Sequence, residues 1–111
     1  MSKTIIVIPT YNEIENIEKM VEALLALGVA GLGVLIVDDE SPDGTGKVAD
    51  DLAARYPGQV NVLHRKERNG FGPAYVAGFK KAISMGADYI IQMDADFSHQ
   101  PKYIPEMITQ I

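Results

Sequence analysis

The chain has 111 residues, 47% of them hydrophobic, with a formal net charge of −5 and no cysteine. That length and hydrophobic content suit one domain with a real core and exclude wholesale disorder. The acidic balance argues against a nucleic-acid partner and against strong attraction to anionic lipid. The lack of cysteine excludes a disulfide framework, a thiolate nucleophile and a thiolate metal site.

Lys3 is the one charged residue before the first β-type run, which is not a signal-peptide pattern, and no apolar run approaches membrane-spanning length. The expectation is a cytoplasmic chain whose contact with a membrane is peripheral. Thr4 to Ile8 is a continuous β-branched run, which predicts a buried first strand stopped by Pro9. Pro9-Thr10-Tyr11-Asn12-Glu13 follows as a turn, and Asn12 with Glu15 three residues on has the form of a capping box. Ile14, Ile17, Met20, Val21, Leu24 and Leu25 then keep helical spacing as far as Gly28. Gly33 to Val37 predicts a second buried strand, ending in Asp38-Asp39-Glu40.

The turn-rich loop Ser41-Pro42-Asp43-Gly44-Thr45-Gly46 leads into a helix reaching Tyr56, broken by Pro57-Gly58. Val60 to Leu63 predicts a third strand, followed by the polar stretch from His64 to Gly70. Phe71 to Met85 predicts a third helix with Tyr75, Val76, Phe79, Ala82 and Ile83 on its apolar side. Tyr89 to Met93 predicts a fourth buried strand, closed by Asp94-Ala95-Asp96. Beyond Pro101, residues Tyr103, Ile104, Met107, Ile108 and Ile111 continue a helical pattern with no stop signal. Residues 1–111 are therefore expected to be part of a larger catalytic unit, cut within or at the end of a helix.

Strands and helices alternating over short connections predict an α/β fold, a Rossmann-like open parallel sheet with helices on both faces. Such sheets bind ligands beyond the carboxyl ends of their strands. Tyr11, Asn12, Glu13, Asp38, Asp39, Glu40, Arg65, Lys66, Asp94, Asp96 and His99 all fall at those ends. Asp94 and Asp96, two apart on an extended backbone, point the same way at roughly 7 Å between Cα atoms and can share a divalent cation. Oxygen ligands alone suit Mg²⁺ or Mn²⁺, and Ala95 leaves room for a ligand to approach the backbone.

Each of these residues also has a structural role open to it. Asp94 and Asp96 can simply end a strand, Asp39 can cap the following turn, and Tyr11 can shield the core edge instead of stacking on a base. Glu13 suits a helix N-terminus through the dipole, and His99, with no second His or Cys nearby, suits a hydrogen bond better than a metal. Arg65 and Lys66 read as ordinary exposed charges before they read as phosphate ligands. Gly70 and Gly72 follow the third strand rather than the first, so they are not a dinucleotide fingerprint.

Val7-Ile8-Pro9-Thr10-Tyr11-Asn12-Glu13 and Ile36-Val37-Asp38-Asp39-Glu40-Ser41-Pro42-Asp43-Gly44-Thr45 together resemble the nucleotide-sugar half of family 2 glycosyltransferases. His64-Arg65, Gly70-Phe71-Gly72-Pro73-Ala74-Tyr75 and Met93-Asp94-Ala95-Asp96-Phe97-Ser98-His99 narrow the resemblance to the dolichol-phosphate (polyprenol-phosphate) mannose synthases. The resemblance covers essentially the whole chain but only the N-terminal half of such a catalytic domain, and it implies a GT-A glycosyltransferase fold. It implies transfer of mannose from GDP-mannose to a polyprenyl phosphate, with inversion and with a divalent metal.

On the matching positions, Pro9, Tyr11 and Glu13 line the nucleoside pocket, and Val37 and Asp39 hold base and ribose. The resemblance further implies that Asp94 and Ala95 touch the nucleotide and that Asp96 is the principal metal ligand and catalytic carboxylate, with Asp94 beside it. Two departures stand out. Ser98 occupies the place of a metal-binding glutamine in some relatives, and Glu40 stands where asparagine or glycine is more usual. Two other functions share the length and the acidic pocket, namely a phosphoacceptor receiver-type signalling domain and a nucleotide-binding module without turnover. The isolated chain is expected to retain donor binding only. With a strand order of 3-2-1-4 its fourth strand lies at an open edge, so it is also expected to self-associate.

Overall fold

The computed structural model describes residues 3–66 and 71–93, and the expectations for Asp94, Ala95, Asp96, Ser98, His99 and the last helical pattern lie outside them. The described chain runs β1 (Thr4–Thr10), α1 (Ile17–Ala26), β2 (Leu32–Asp38), α2 (Thr45–Arg55), β3 (Val60–His64), α3 (Phe71–Ser84) and β4 (Tyr89–Gln92). All strand pairings are parallel and the sheet order is β3-β2-β1-β4. This is the order of a Rossmann-type half rather than the 2-1-3 start of receiver-type sheets, which removes the topological basis for the signalling alternative.

The two-residue period of the strands divides the core in two. Ile6, Ile8, Val34, Ile36 and Val60 pack with Ile17, Met20, Val21 and Leu24 of α1 and with Ala49 and Leu52 of α2. On the opposite face Ile5, Val7, Leu35 and Val37 meet Ala74 and Ala82 of α3. Both faces being covered explains why the strands are continuous apolar runs with no alternation. Among the described residues, no helix is long and apolar enough to cross a membrane.

Three local expectations are corrected. The first strand does not stop at Pro9 but continues to Thr10, with Pro9 in register with Val37. Val7 O accepts the Met93 N–H at 3.1 Å, so by the period of two the nitrogen of Pro9 faces the β4 side as well. Its missing donor falls one rung past the end of the β1–β4 register at Val7–Gln92, where it breaks nothing on the β2 side.

The capping box does not form either. Asn12 takes the left-handed conformation, φ 58°, and α1 begins later, at Ile17. The amides of Asn16 and Ile17 both bond to Glu13 O, at 3.0 and 2.9 Å, and Ile14 is left 41% exposed, off the apolar stripe. At the other end Gly28, φ 67°, closes α1 as expected.

On α3 the buried stripe is Ala74, Gly78 and Ala82, whereas Val76 and Ile83 point outward at 52% and 65% exposure. Small residues win here because α3 lies very close to the sheet. A Cβ built on Gly78 would sit 2.5 Å from Val7 Cγ1 and 3.0 Å from Val37 Cγ2. Tyr75 and Phe79 flank this contact and fill the space beside it.

Gly78→Ala must therefore push α3 off β1 and β2. Overpacking costs about 1–3 kcal/mol, and the better helix propensity of alanine returns up to about 1 kcal/mol. The expected outcome is a net loss of stability and a lower Tm in a thermal melt followed by far-ultraviolet circular dichroism. A melt at or above the wild-type Tm would contradict the tight contact.

Candidate nucleotide site at the carboxyl edge of the sheet

Register places Thr10, Asp38 and His64 side by side across β1, β2 and β3. Asp38 is 2% exposed, and its carboxylate is fully engaged. Oδ1 accepts the Thr10 hydroxyl at 2.8 Å and the Ser41 hydroxyl at 2.6 Å, and Oδ2 accepts the Ser41 N–H at 3.1 Å. Its carbonyl takes the Arg65 N–H at 2.8 Å, which holds the start of the loop after β3. Asp38 is thus the organiser of the turn, the capping role that the sequence left open to Asp39.

Asp39 is 3% exposed, and its N–H bonds Thr10 O at 3.1 Å. Arg65 Nη1 donates to both of its carboxylate oxygens, at 3.1 and 3.3 Å. The side chains of this pair are only 12% and 5% exposed. Arg65 is therefore not the plain surface charge its position suggested: a buried carboxylate without a cation beside it would be strongly disfavoured.

The turn after β1 is held from outside itself. Three successive amides, those of Asn12, Glu13 and Ile14, donate to Ser41 Oγ (2.9 Å), Thr45 Oγ1 (3.0 Å) and Asp43 Oδ2 (3.2 Å). Thr45, fully buried, donates its hydroxyl to Asp43 Oδ1, which also accepts the Thr45 N–H at 3.0 Å at the start of α2. Partial burial pushes the Asp43 carboxyl up. The Thr45 hydroxyl, the Thr45 and Ile14 amides and its own amide outweigh that push and hold it below its ordinary value. Asp43 also sits beside the positive end of α2, where a carboxylate is favoured.

Of the predicted site residues, Tyr11 and Glu13 lie in this turn, half-buried, next to the loop carrying Asp39. The Glu13 carboxylate accepts from Asn16 Nδ2 at 3.3 Å. Pro9 and Val37 are buried in the strands beneath; Val37 is 0% exposed, packed under α3. Lys66 is exposed, and exposed His64 meets Asp50 of α2 at 2.9 Å. The carboxyl end of β4 lies on this same side of the parallel sheet.

Among the described residues no group of three or more His, Cys, Asp or Glu is arranged to hold a metal. Asp38 and Asp39 are committed to the contacts above, and the expected metal carboxylates Asp94 and Asp96 lie outside the described residues. A cavity of about 460 Å³ lies elsewhere, between α1 and α2, lined by Ile14, Glu18, Val48, Asp51, Ala54 and Arg55. It gathers none of the predicted residues.

The model of glycosyl transferase family 2 matches residues 5–111. The chain belongs to glycosyl transferase family 2. It is 45% identical over 109 residues to an undecaprenyl-phosphate mannosyltransferase of Micrococcus luteus, covering 98% of this chain and 44% of that protein. It is 40% identical over 109 residues to a polyprenol monophosphomannose synthase of Mycolicibacterium smegmatis, covering 98% and 41%. The chain thus spans less than half the length of these relatives.

A solved mannosyltransferase from Pyrobaculum calidifontis, in complex with GDP-Man and Mn²⁺, superimposes with a TM-score of 0.65 at 24% identity, over 85% of this chain and 27% of that one. The shared fold is that of GT-A glycosyltransferases. The expected family and fold are both met.

Within this family 2 chain, sequence reasoning missed the partners of the turn after β1, namely Ser41, Asp43 and Thr45. Their signal was present as a run of short hydroxyl and carboxylate side chains, but that composition says only that a turn exists, not which amides it binds.

Glu40 has φ 55°, a conformation costing a side-chain-bearing residue about 1–2 kcal/mol that glycine does not incur. Glu40→Gly is expected to raise the urea midpoint, an effect of about 1 kcal/mol. A fall would show that the side chain contributes more than the backbone strain removes. A second expectation concerns Asp43. A carboxyl held low in the folded state contributes stability that is complete above its unfolded value and is lost as pH falls through the folded value. The Tm gap between wild type and Asp43→Asn should therefore be widest near neutrality and close in acid. A gap independent of pH would place the stabilisation elsewhere.

Proposed function

We propose that the chain is the donor-binding half of an inverting, metal-dependent enzyme that transfers mannose from GDP-mannose to a polyprenyl phosphate. The observation that carries this reading is the identity of 45% and 40%, over nearly the whole chain, to two polyprenyl-phosphate mannosyltransferases. The gathering of Tyr11, Glu13 and Asp39 at one sheet edge supports it, as does the Mn²⁺ and GDP-Man complex of the structural neighbour.

Tyr11 offers a ring for stacking on the base, and Glu13 and Asp39 offer carboxylates to ribose hydroxyls and base N–H groups. Pro9 and Val37 form the floor under them. Asp94 and Ala95 complete the nucleotide contacts, and Asp96, with Asp94, is the metal-binding carboxylate. The bound Mg²⁺ or Mn²⁺ supplies Lewis-acid stabilisation of the departing diphosphate.

The acceptor oxygen belongs to a phosphate monoester that is already anionic at neutral pH. No strong general base is needed for its attack from the face opposite the leaving group, and that attack inverts the sugar carbon. A lipid acceptor implies peripheral contact with the cytoplasmic face of a membrane in the working enzyme. Residues 1–111 are the nucleotide-sugar part of that catalytic domain, with the acceptor held by sequence that the relatives carry beyond it.

Calorimetric titration with GDP, UDP and ADP, each with and without Mg²⁺ or Mn²⁺, tests the reading. GDP is expected to bind most tightly and more tightly with metal. Asp96→Ala should remove the metal-dependent increment without changing the Tm. Equal affinity of Asp96→Ala and wild type in the presence of metal would refute the assignment.

A further inference from the structure

We propose that Ser41, Asp43 and Thr45 are positioning residues for the nucleoside diphosphate pocket, acting through the three consecutive amides of the turn after β1. This rests on the donor-pocket reading above and extends it to residues that touch no ligand. Tyr11 and Glu13, the side chains assigned to the nucleoside, sit in a turn that lacks a capping side chain of its own. Asn12 is in the left-handed region and the Asn16 side chain makes no capping bond to α1. What holds the turn is the loop after β2, through the Asn12–Ser41, Glu13–Thr45 and Ile14–Asp43 bonds. That loop is itself tied to Asp38 through Ser41, next to Asp39 in the chain.

Both walls of the pocket, Tyr11–Glu13 on one side and Asp39 on the other, therefore share one hydrogen-bonded frame. Thr45 is its central member: buried, with one hydroxyl that accepts from the Glu13 amide and donates to Asp43. A hydroxyl is required because only it can do both. Valine at this position has the same shape, strands the Glu13 N–H and takes from Asp43 Oδ1 one of its two hydrogen bonds, leaving the Thr45 N–H.

The test compares GDP affinity by calorimetry, with Mg²⁺ present, for wild type, Thr45→Val, Thr45→Ser and Ser41→Ala. Val60→Ala, a core cavity at the opposite edge of the sheet, serves as a control for general destabilisation. Amide hydrogen exchange at Asn12, Glu13 and Ile14 is measured on the same samples without ligand. Thr45→Val should weaken GDP binding about tenfold and speed exchange at Glu13. Thr45→Ser should restore both, and Ser41→Ala should speed exchange at Asn12 and weaken GDP binding to a lesser degree. Val60→Ala should lower the Tm and leave affinity and the three amides unchanged.

Wild-type affinity in Thr45→Val overturns the proposal, and so does an equal loss of affinity in Val60→Ala. If wild type itself binds no GDP while the Glu13 amide responds to Thr45→Val, the donor-pocket reading fails and the frame survives only as part of the fold.

Discussion

The amides of Asn12, Glu13 and Ile14 are the constraint on which the site depends. They follow a central strand with no neighbouring strand to bond; the Glu13 amide is half-buried and needs a protein acceptor, while those of Asn12 and Ile14, on exposed residues, find theirs in the same loop. The nearest helix cannot supply them, because α1 begins only at Ile17 and its own first amides draw on Glu13 O. The loop after β2 supplies all three from short side chains within a five-residue stretch, Ser41 to Thr45. Two loops that are distant in sequence become one frame, and the candidate nucleotide pocket lies along it.

The adjacent carboxylates Asp38 and Asp39 show how a strand end divides labour. Successive side chains of an extended chain point to opposite faces. Asp38 continues the row of Val34 and Ile36 toward α2, where Thr10 and Ser41 saturate it. Asp39 follows Val37 toward the other face and meets Arg65. Both charges are buried, so both need compensation, but the means differ. Neutral hydroxyls and an amide make Asp38 a rigid joint, whereas Asp39 is compensated by the guanidinium of Arg65.

Two features of the sheet carry this edge. Pro9 sits in a central strand without breaking it, because its nitrogen faces β4 where the ladder has already ended at the Met93 N–H. The rung that would follow needs a donor that proline lacks, and among the described residues the β1–β4 register ends at Val7–Gln92. On the far face, Ala74, Gly78 and Ala82 let α3 lie directly on Val7 and Val37. The strand beneath the nucleoside assignment is thereby pinned from below, and membership of glycosyl transferase family 2 gives that pinned edge its chemical meaning.

Local patterns determined much of this in advance. The β-branched runs, the glycine after α1 and the alternation of strand and helix were enough for a parallel sheet with its polar residues at one edge, because burial on two faces and backbone geometry act over a few residues at a time. Where local rules compete, the sequence was misleading. Asn12 and Glu15 have the spacing of a capping box, yet the hydroxyls of Ser41 and Thr45 hold the neighbouring amides in a different turn. Val76 and Ile83 are the bulkier apolar residues of α3, yet closeness to the sheet selects alanine and glycine instead. The pairing of Arg65 with Asp39, and the anchoring of the turn by Asp38 rather than Asp39, were decided only by the tertiary structure. They depend on strands separated by some 26 residues in sequence coming into register, and no local periodicity encodes which side chain a buried charge will face.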